Sequence, residues 1–553
     1  MSENELVAAQ ALLLELNIEG VVHVARLHAS DLLTRRLRAQ RSSRQQITDA
    51  VGSIQLYRGE IAGFPGSTLR MAESNGHWRG LALFQGKTYR LNADESALRE
   101  IPLRALREDD LRGRSCGLQD RGEQVVTLAP TATAAAPSSE TAWLDATAPG
   151  SFSSASTSAA YCSNPIDGVC LLPEIEFAYD ISYQNLPGGG LSAMQRALSE
   201  INELEMFFER AFNFRFTRVS ITMLNAAQDA LVGDSDNANT LLDRLRVLRG
   251  SGQLDFLQNP RSIFHFVTGR DFPATPAQGN IVGLAYLSQV CAGSGLNTGL
   301  TDAGDTPVVS LVMAHEIGHN LGAMHDDPAD NGCAANQFVM SGSIGSASAS
   351  ISDFSSCSVA EINAEVEASL STSCFDFPVD VSIVEAAGNP DEPPAETPFG
   401  TVVEVIRDDG YLPVDALRIE AIVDTPANGY FTAASVAGGS CSVFADTVSC
   451  LVSNPAASID LTLTSYVEAG AEEFTLSVLA QSETVGTADL IESNNVLSVS
   501  YDSFGPPLPT SPAVEPPANN VAASAGGGGG GTSGVDALLL LFCAALKILR
   551  VAK

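Results

Sequence analysis

"VVSLVMAHEIGHNLGAMHDD", residues 308–327, carries three of the chain's seven histidines within eleven positions, with an acid beside the first and a glycine ahead of the last. Its apolar residues recur at helical spacing, which predicts a helix ending at Gly322. On that helix His315 and His319, four residues apart, project from one face about a turn from each other, the separation that two ligands of a tetrahedral zinc ion need. Glu316, next to the first, can reach a water at the metal and take the proton that zinc has made more acidic. Gly322 can adopt a positive φ without steric cost, ending the helix and bringing His325 round as the third ligand. The fourth position stays open, as catalysis requires. Chance assembly of this pattern is on the order of one in 10⁵, so a solvated helix with incidental histidines is set aside.

The surrounding chain has 553 residues, 45% apolar and 6% aromatic, a globular composition long enough for about three domains. Its net charge of −34 is uneven: residues 1–115 hold 16 Lys+Arg against 14 Asp+Glu, and the rest hold 15 against 51. A surface so acidic repels phosphate backbones and anionic headgroups, which argues against nucleic acid as a partner. Ten cysteines without CxxC pairs point to an oxidising compartment. The N-terminus, "MSENELVAAQALLLELNIEG", has no basic stretch ahead of its apolar run and Glu15 interrupts that run, so no signal peptide is legible.

Composition divides the chain. Residues 53–92 alternate apolar and polar positions between Gly, Pro and Asn, as short antiparallel strands do. Residues 126–160 are small and polar, as in a linker. From about 170 the pattern becomes mixed α and β: Leu191, Met194, Leu198, Ile201, Leu204, Phe208 and Phe212 give one apolar face to a long helix. Strands are expected at "FRFTRVSITML" and at "NIVGLAYLSQVC", residues 280–291. After "GNPDEPPAETP" the alternating stretches up to about 502 fit a β-sandwich. A Pro-rich spacer, six glycines at 526–531 and an apolar end follow.

At "HEIGHNLGAMHD" the chain resembles the metzincin zinc metalloproteases, and Asp326 after His325 resembles their adamalysin or reprolysin (ADAM-like) branch. "QFVMS" then supplies Met340 as the structural Met-turn beneath the zinc, and "GLAYLSQVC" resembles the edge strand on which that family lays its substrate antiparallel. The resemblance covers roughly 170–376 and implies a polypeptide substrate, one catalytic Zn²⁺, and disulfides Cys291 with Cys374 and Cys333 with Cys357. Cys162 with Cys170 and Cys441 with Cys450 are expected from proximity alone. It also implies a structural Ca²⁺ near the domain's termini with Glu176 as one ligand, although "CFDF" after Cys374 departs from the family's asparagine-bearing pattern.

The first 115 residues resemble the β-rich inhibitory propeptide of the same family, and "RSCGLQ" resembles a cysteine switch, in which the Cys116 thiolate would fill the open zinc position until the linker is cut. Residues 379–502 resemble Ig-like repeats of bacterial surface proteins. The tail resembles a GlyGly-CTERM sorting signal of Gram-negative bacteria, which implies a rhomboid-type sorting protease as partner and removal of Cys543.

The expected chain is therefore multidomain: a propeptide with switch (1–118), an activation linker (119–165), an α/β metzincin domain with a mixed sheet and long helices (166–377), a β-sandwich (378–502), a spacer (503–534) and a sorting or anchor segment (535–553). The expected function is a secreted or surface-sorted, monomeric zinc endopeptidase made as a zymogen. The alternative is a surface adhesion protein whose zinc domain binds without cutting; Glu316 speaks against it, since a binding-only site needs no base.

Overall fold

The computed structural model describes residues 11–30, 32, 38–39, 44–91, 101–105, 114–119, 159–188, 191–254, 256–257, 263–272, 280–304, 308–329, 331–335, 337–344, 353–370 and 374–507. Most of the expected linker, the glycine run and the apolar tail with Cys543 lie outside the described residues.

The alternation read near the N-terminus builds a closed barrel of seven strands, Leu12–Ile18, Val21–Ala29, Gln55–Ile61, Thr68–Ser74, His77–Phe84, Lys87–Leu91 and Ile101–Ala105. Closure comes from a parallel pairing of the first strand with the last, Leu16 opposite Ile101. Leu16, Leu27, Leu69, Met71 and Phe84 fill its interior.

The central domain is a mixed sheet between helices. Thr217–Met223, Leu172–Tyr179, Ile263–Thr268 and Thr298–Asp302 run parallel, and Asn280–Tyr286 pairs antiparallel with Thr298–Asp302 to make the domain's own edge. Alternate residues of these strands supply two cores. Phe264 and Phe266 face the helix Ala238–Gly250, while Ile263 and Val267 belong with the long helix Ala193–Phe212 and the motif helix Val309–Asn320. The strand expected over 280–291 stops at Tyr286, because Ser288 and Cys291 take positive φ and turn the chain out of the sheet.

The long helix opens on a capping box, with Ser192 accepting from the Gln195 amide and Gln195 from that of Ser192, and ends at Asn213 in the left-handed conformation. Its sequence suggests one apolar face, yet 17 of its 20 residues are buried. The barrel covers the polar side.

Two sheets make the C-terminal sandwich, one ordered from Thr487–Asp489 through Phe375–Glu385, Phe399–Asp409 and Ser458–Val467 to Gly429–Val436, the other holding the remaining five strands. Phe375–Glu385 starts in the central domain, where Phe375 pairs with Pro173, and continues into the sandwich. Among the described residues the disulfides are Cys162–Cys170, Cys291–Cys374, Cys333–Cys357 and Cys441–Cys450.

Candidate metal centre

Every residue of the motif helix Val309–Asn320 is buried. The apolar run "VSLVMA" sets its first turns against the sheet, and the HEIGH segment arrives already desolvated. Gly318 leaves room below: a Cβ there would stand 2.6 Å from the Met340 sulfur, so the missing side chain lets the buried Met340 pack beneath the histidines. At the helix end Gly322 takes φ +104°, and the Ala323 amide bonds back to the Gly318 carbonyl at 2.9 Å. The chain then returns with His325.

The three imidazoles converge. Nε2 of His325 lies 3.2 Å from Nε2 of His315 and 3.2 Å from Nε2 of His319. Zinc at about 2.0–2.1 Å from tetrahedrally placed nitrogens would hold them roughly 3.3 Å apart, so the residues fit the ion. Nδ1 of His315 donates to the Val339 carbonyl at 2.7 Å and Nδ1 of His319 to the Ala323 carbonyl at 2.7 Å. A carbonyl only accepts, so each Nδ1 carries the proton and each Nε2 keeps its lone pair for the metal. Burial, and then the neighbouring imidazoles, hold His315 well below the usual histidine pKa; the same causes bring His319 down to about 3. Both rings are therefore neutral at pH 7, the form that binds metal.

Asp326 secures the third ligand from behind. Its Oδ1 accepts from the Ser355 hydroxyl at 2.5 Å and the Ser358 hydroxyl at 3.0 Å, at the start of the helix Ser356–Ser369, and its amide donates to the Met340 carbonyl at 2.9 Å. Asn320 ties the motif helix to the edge, donating to Tyr286 O at 2.9 Å and Thr298 O at 3.2 Å. Its place straight after a ligand was the only hint of that role in the sequence.

Glu316 is fully buried and packs against Gly283 of the edge strand, where any side chain would overlap its carboxylate. Nothing in the sequence marks Gly283. The strand Arg114–Gln119 lies beyond it, parallel to Asn280–Tyr286 and antiparallel to Ser343–Ile344, with Cys116 opposite Gly283. The backbone of Cys116 thus stands across the edge strand's glycine from Glu316; its thiol lies outside the described residues. Among the described residues, the three histidines are the one group of three or more His, Cys, Asp or Glu side chains close enough to share an ion. Glu176 is 1% exposed, has the charge of Arg249 near it, and belongs to no such group.

The model of the Reprolysin-like metallo-peptidase family M12B matches residues 197–368, from the long helix to the helix that follows the Met-turn. These residues form a reprolysin-like metallopeptidase domain. The reprolysin-like domain has relatives in animals: the snake venom metalloproteinase-disintegrin-like mocarhagin of Naja mossambica is 27% identical over 183 residues, 33% of this chain and 28% of the relative. The human disintegrin and metalloproteinase domain-containing protein 9 is 40% identical over a shorter stretch.

 The aligned stretch there is 83 residues, 14% of this chain and 9% of that relative. The chain thus spans less than a third of the length of either relative. The crystal structure of metalloproteinase-II from Bacteroides fragilis aligns over 65% of this chain and 94% of its own, at 10% identity and a TM-score of 0.35.

Proposed function

We propose that the chain is a zinc-dependent endopeptidase made as a zymogen. The observation that carries this is the convergence of three neutral imidazoles beside a buried carboxylate, at an edge strand that already holds an extended peptide. A zinc ion bound by His315, His319 and His325 would polarise the scissile carbonyl and acidify the attacking water. Glu316, held against Gly283, takes the proton of that water on a carboxylate oxygen and passes it to the leaving amide nitrogen. The edge strand Asn280–Tyr286 supplies backbone groups that align an extended substrate, so orientation comes from the sheet.

A substrate antiparallel to the edge strand would run opposite to Arg114–Gln119, which is parallel to it. The propeptide strand therefore occupies the groove in a direction that does not present its own bonds for cutting, and the Cys116 thiolate is the zinc ligand that keeps the precursor silent. Four disulfides support export to an oxidising compartment, with the chain released or sorted to a Gram-negative cell surface through the tail at 526–553 and acting there as a monomer on polypeptides.

The test is hydrolysis of an unfolded protein by chain cut on both sides of the strand Arg114–Gln119, within residues 106–113 and 120–158, with and without a chelator and with Glu316→Gln. Cleavage that disappears with chelator and in the variant supports the proposal. A zinc-loaded, cut wild type that leaves the substrate whole contradicts it. In the uncut chain, Cys116→Ser raises cleavage if the switch operates.

A further inference from the structure

The N-terminal barrel is packed onto the reprolysin-like domain as one half of a core is packed on the other. Leu56, Ala72, Leu81 and Leu83, which do not belong to the barrel's interior cluster, are 1–3% exposed. They share a single buried cluster with Leu198, Ile201 and other residues of the long helix. Charges are buried along the same boundary. Arg79 pairs with Glu200 at 2.9 Å and stands 3.8 Å from Glu203, and Arg70 pairs with Glu209. Both glutamates facing Arg79 are under 5% exposed. Asn202, 1% exposed, donates to the carbonyls of Tyr57 and Met71, each at 3.3 Å, both in the barrel.

Apolar burial of this depth with desolvated ion pairs is the character of a permanent interface, whereas covers that come and go are wetter and more polar. The uneven charge of the sequence points the same way: the module with a slight excess of cations sits on the acidic remainder. The contact also reaches the site, since Glu203 accepts from the hydroxyl of Ser310, the second residue of the motif helix, at 3.0 Å.

We propose that the barrel stays on the long helix as a non-covalent subunit of the mature enzyme, and that the metal centre is uncovered by departure of the strand Arg114–Gln119 alone. This rests on the zymogen reading above. Only residues 106–113 join the barrel to that strand, a reach of at most ~29 Å. A cut in 120–158 leaves the strand tethered beside its groove at an effective concentration of order millimolar. A further cut in 106–113 frees it while the barrel remains.

The test uses the full chain carrying one recognition site for a sequence-specific protease in 120–158 and, in a second version, another in 106–113. After cutting, the barrel fragment is expected to co-elute with the remainder in gel filtration at micromolar concentration, at physiological salt and at about 1 M, because buried pairs are little screened. Arg79→Met is expected to weaken the association roughly 10²–10³-fold and Arg79→Lys less, with zinc content reporting that each variant is folded. A barrel fragment that elutes apart from the cut wild type, or an Arg79→Met chain that associates as tightly as wild type, overturns the proposal. Hydrolysis separates the two ideas: a doubly cut chain that is inactive with the barrel bound and active once the barrel is removed contradicts the subunit proposal, whereas inactivity with and without the barrel contradicts the endopeptidase.

Discussion

The carboxylate of Glu316 fills the space in front of Gly283 that a side chain would occupy. The residue expected to move the proton and the strand expected to hold the substrate are thereby fixed to each other directly, through a glycine 33 positions earlier in the chain. The consequence is that the position of the base depends on a residue that carries no chemistry of its own.

Gly283→Ala should push Glu316 away from the edge strand while leaving the three imidazoles in place. Hydrolysis is expected to fall by about 10²-fold with zinc content unchanged, since displacement of a catalytic group by an ångström has effects of that size. Steady-state rates and metal analysis on the same preparation check it.

Asp326→Ala removes the acceptor of two buried hydroxyls and loosens the turn that presents His325. Zinc affinity is expected to drop roughly 10–100-fold, as when outer partners of metal ligands are lost. Competition against a chromophoric chelator measures the change, and Asp326→Asn, which keeps an oxygen at the site, should lie between wild type and alanine.

His265 gives the fold a dependence on pH apart from the metal. It is fully buried, its Nε2 is 2.8 Å from the Thr301 hydroxyl, and burial pulls its pKa down to about 3. The unfolded chain takes up this proton near pH 6.5 and the folded chain does not, so stability falls as pH drops from about 6.5 towards 3. Between pH 7 and pH 5 the loss from this one group is about 2 kcal/mol, and His265→Gln should remove it. Denaturant unfolding of both proteins at the two pH values is the measurement.

Cys291–Cys374 ties the turn after the edge strand to the start of the sandwich across 83 positions, whereas Cys441–Cys450 spans 9. Replacing the first pair by alanine is expected to cost about 2–5 kcal/mol and the second less, because the longer loop restrains the unfolded chain more. Thermal unfolding of the two double variants should rank them in that order.

What could be read from the sequence was local. His315, Glu316 and His319 lie within about one turn of a single helix, and Gly322 and His325 follow within six residues, so spacing alone brings them to one point. The alternation at 53–92 likewise announced strands. It did not announce a closed barrel, since closure rests on pairing of Leu16 with Ile101, a contact that no local pattern encodes. Glu200, Asn202 and Glu203 read as the solvent face of an amphipathic helix and are instead buried, because another part of the chain supplies Arg79 and the carbonyls they need. Gly283 was invisible for the same reason: its role exists only once Glu316 stands before it.

The central claim, that the three imidazoles share one zinc ion, is tested most directly by zinc K-edge absorption spectroscopy on the purified chain. One zinc per chain with three histidine nitrogens at about 2.0–2.1 Å is the predicted result. A chain purified without zinc, or a coordination shell with fewer than three imidazoles, would contradict the account.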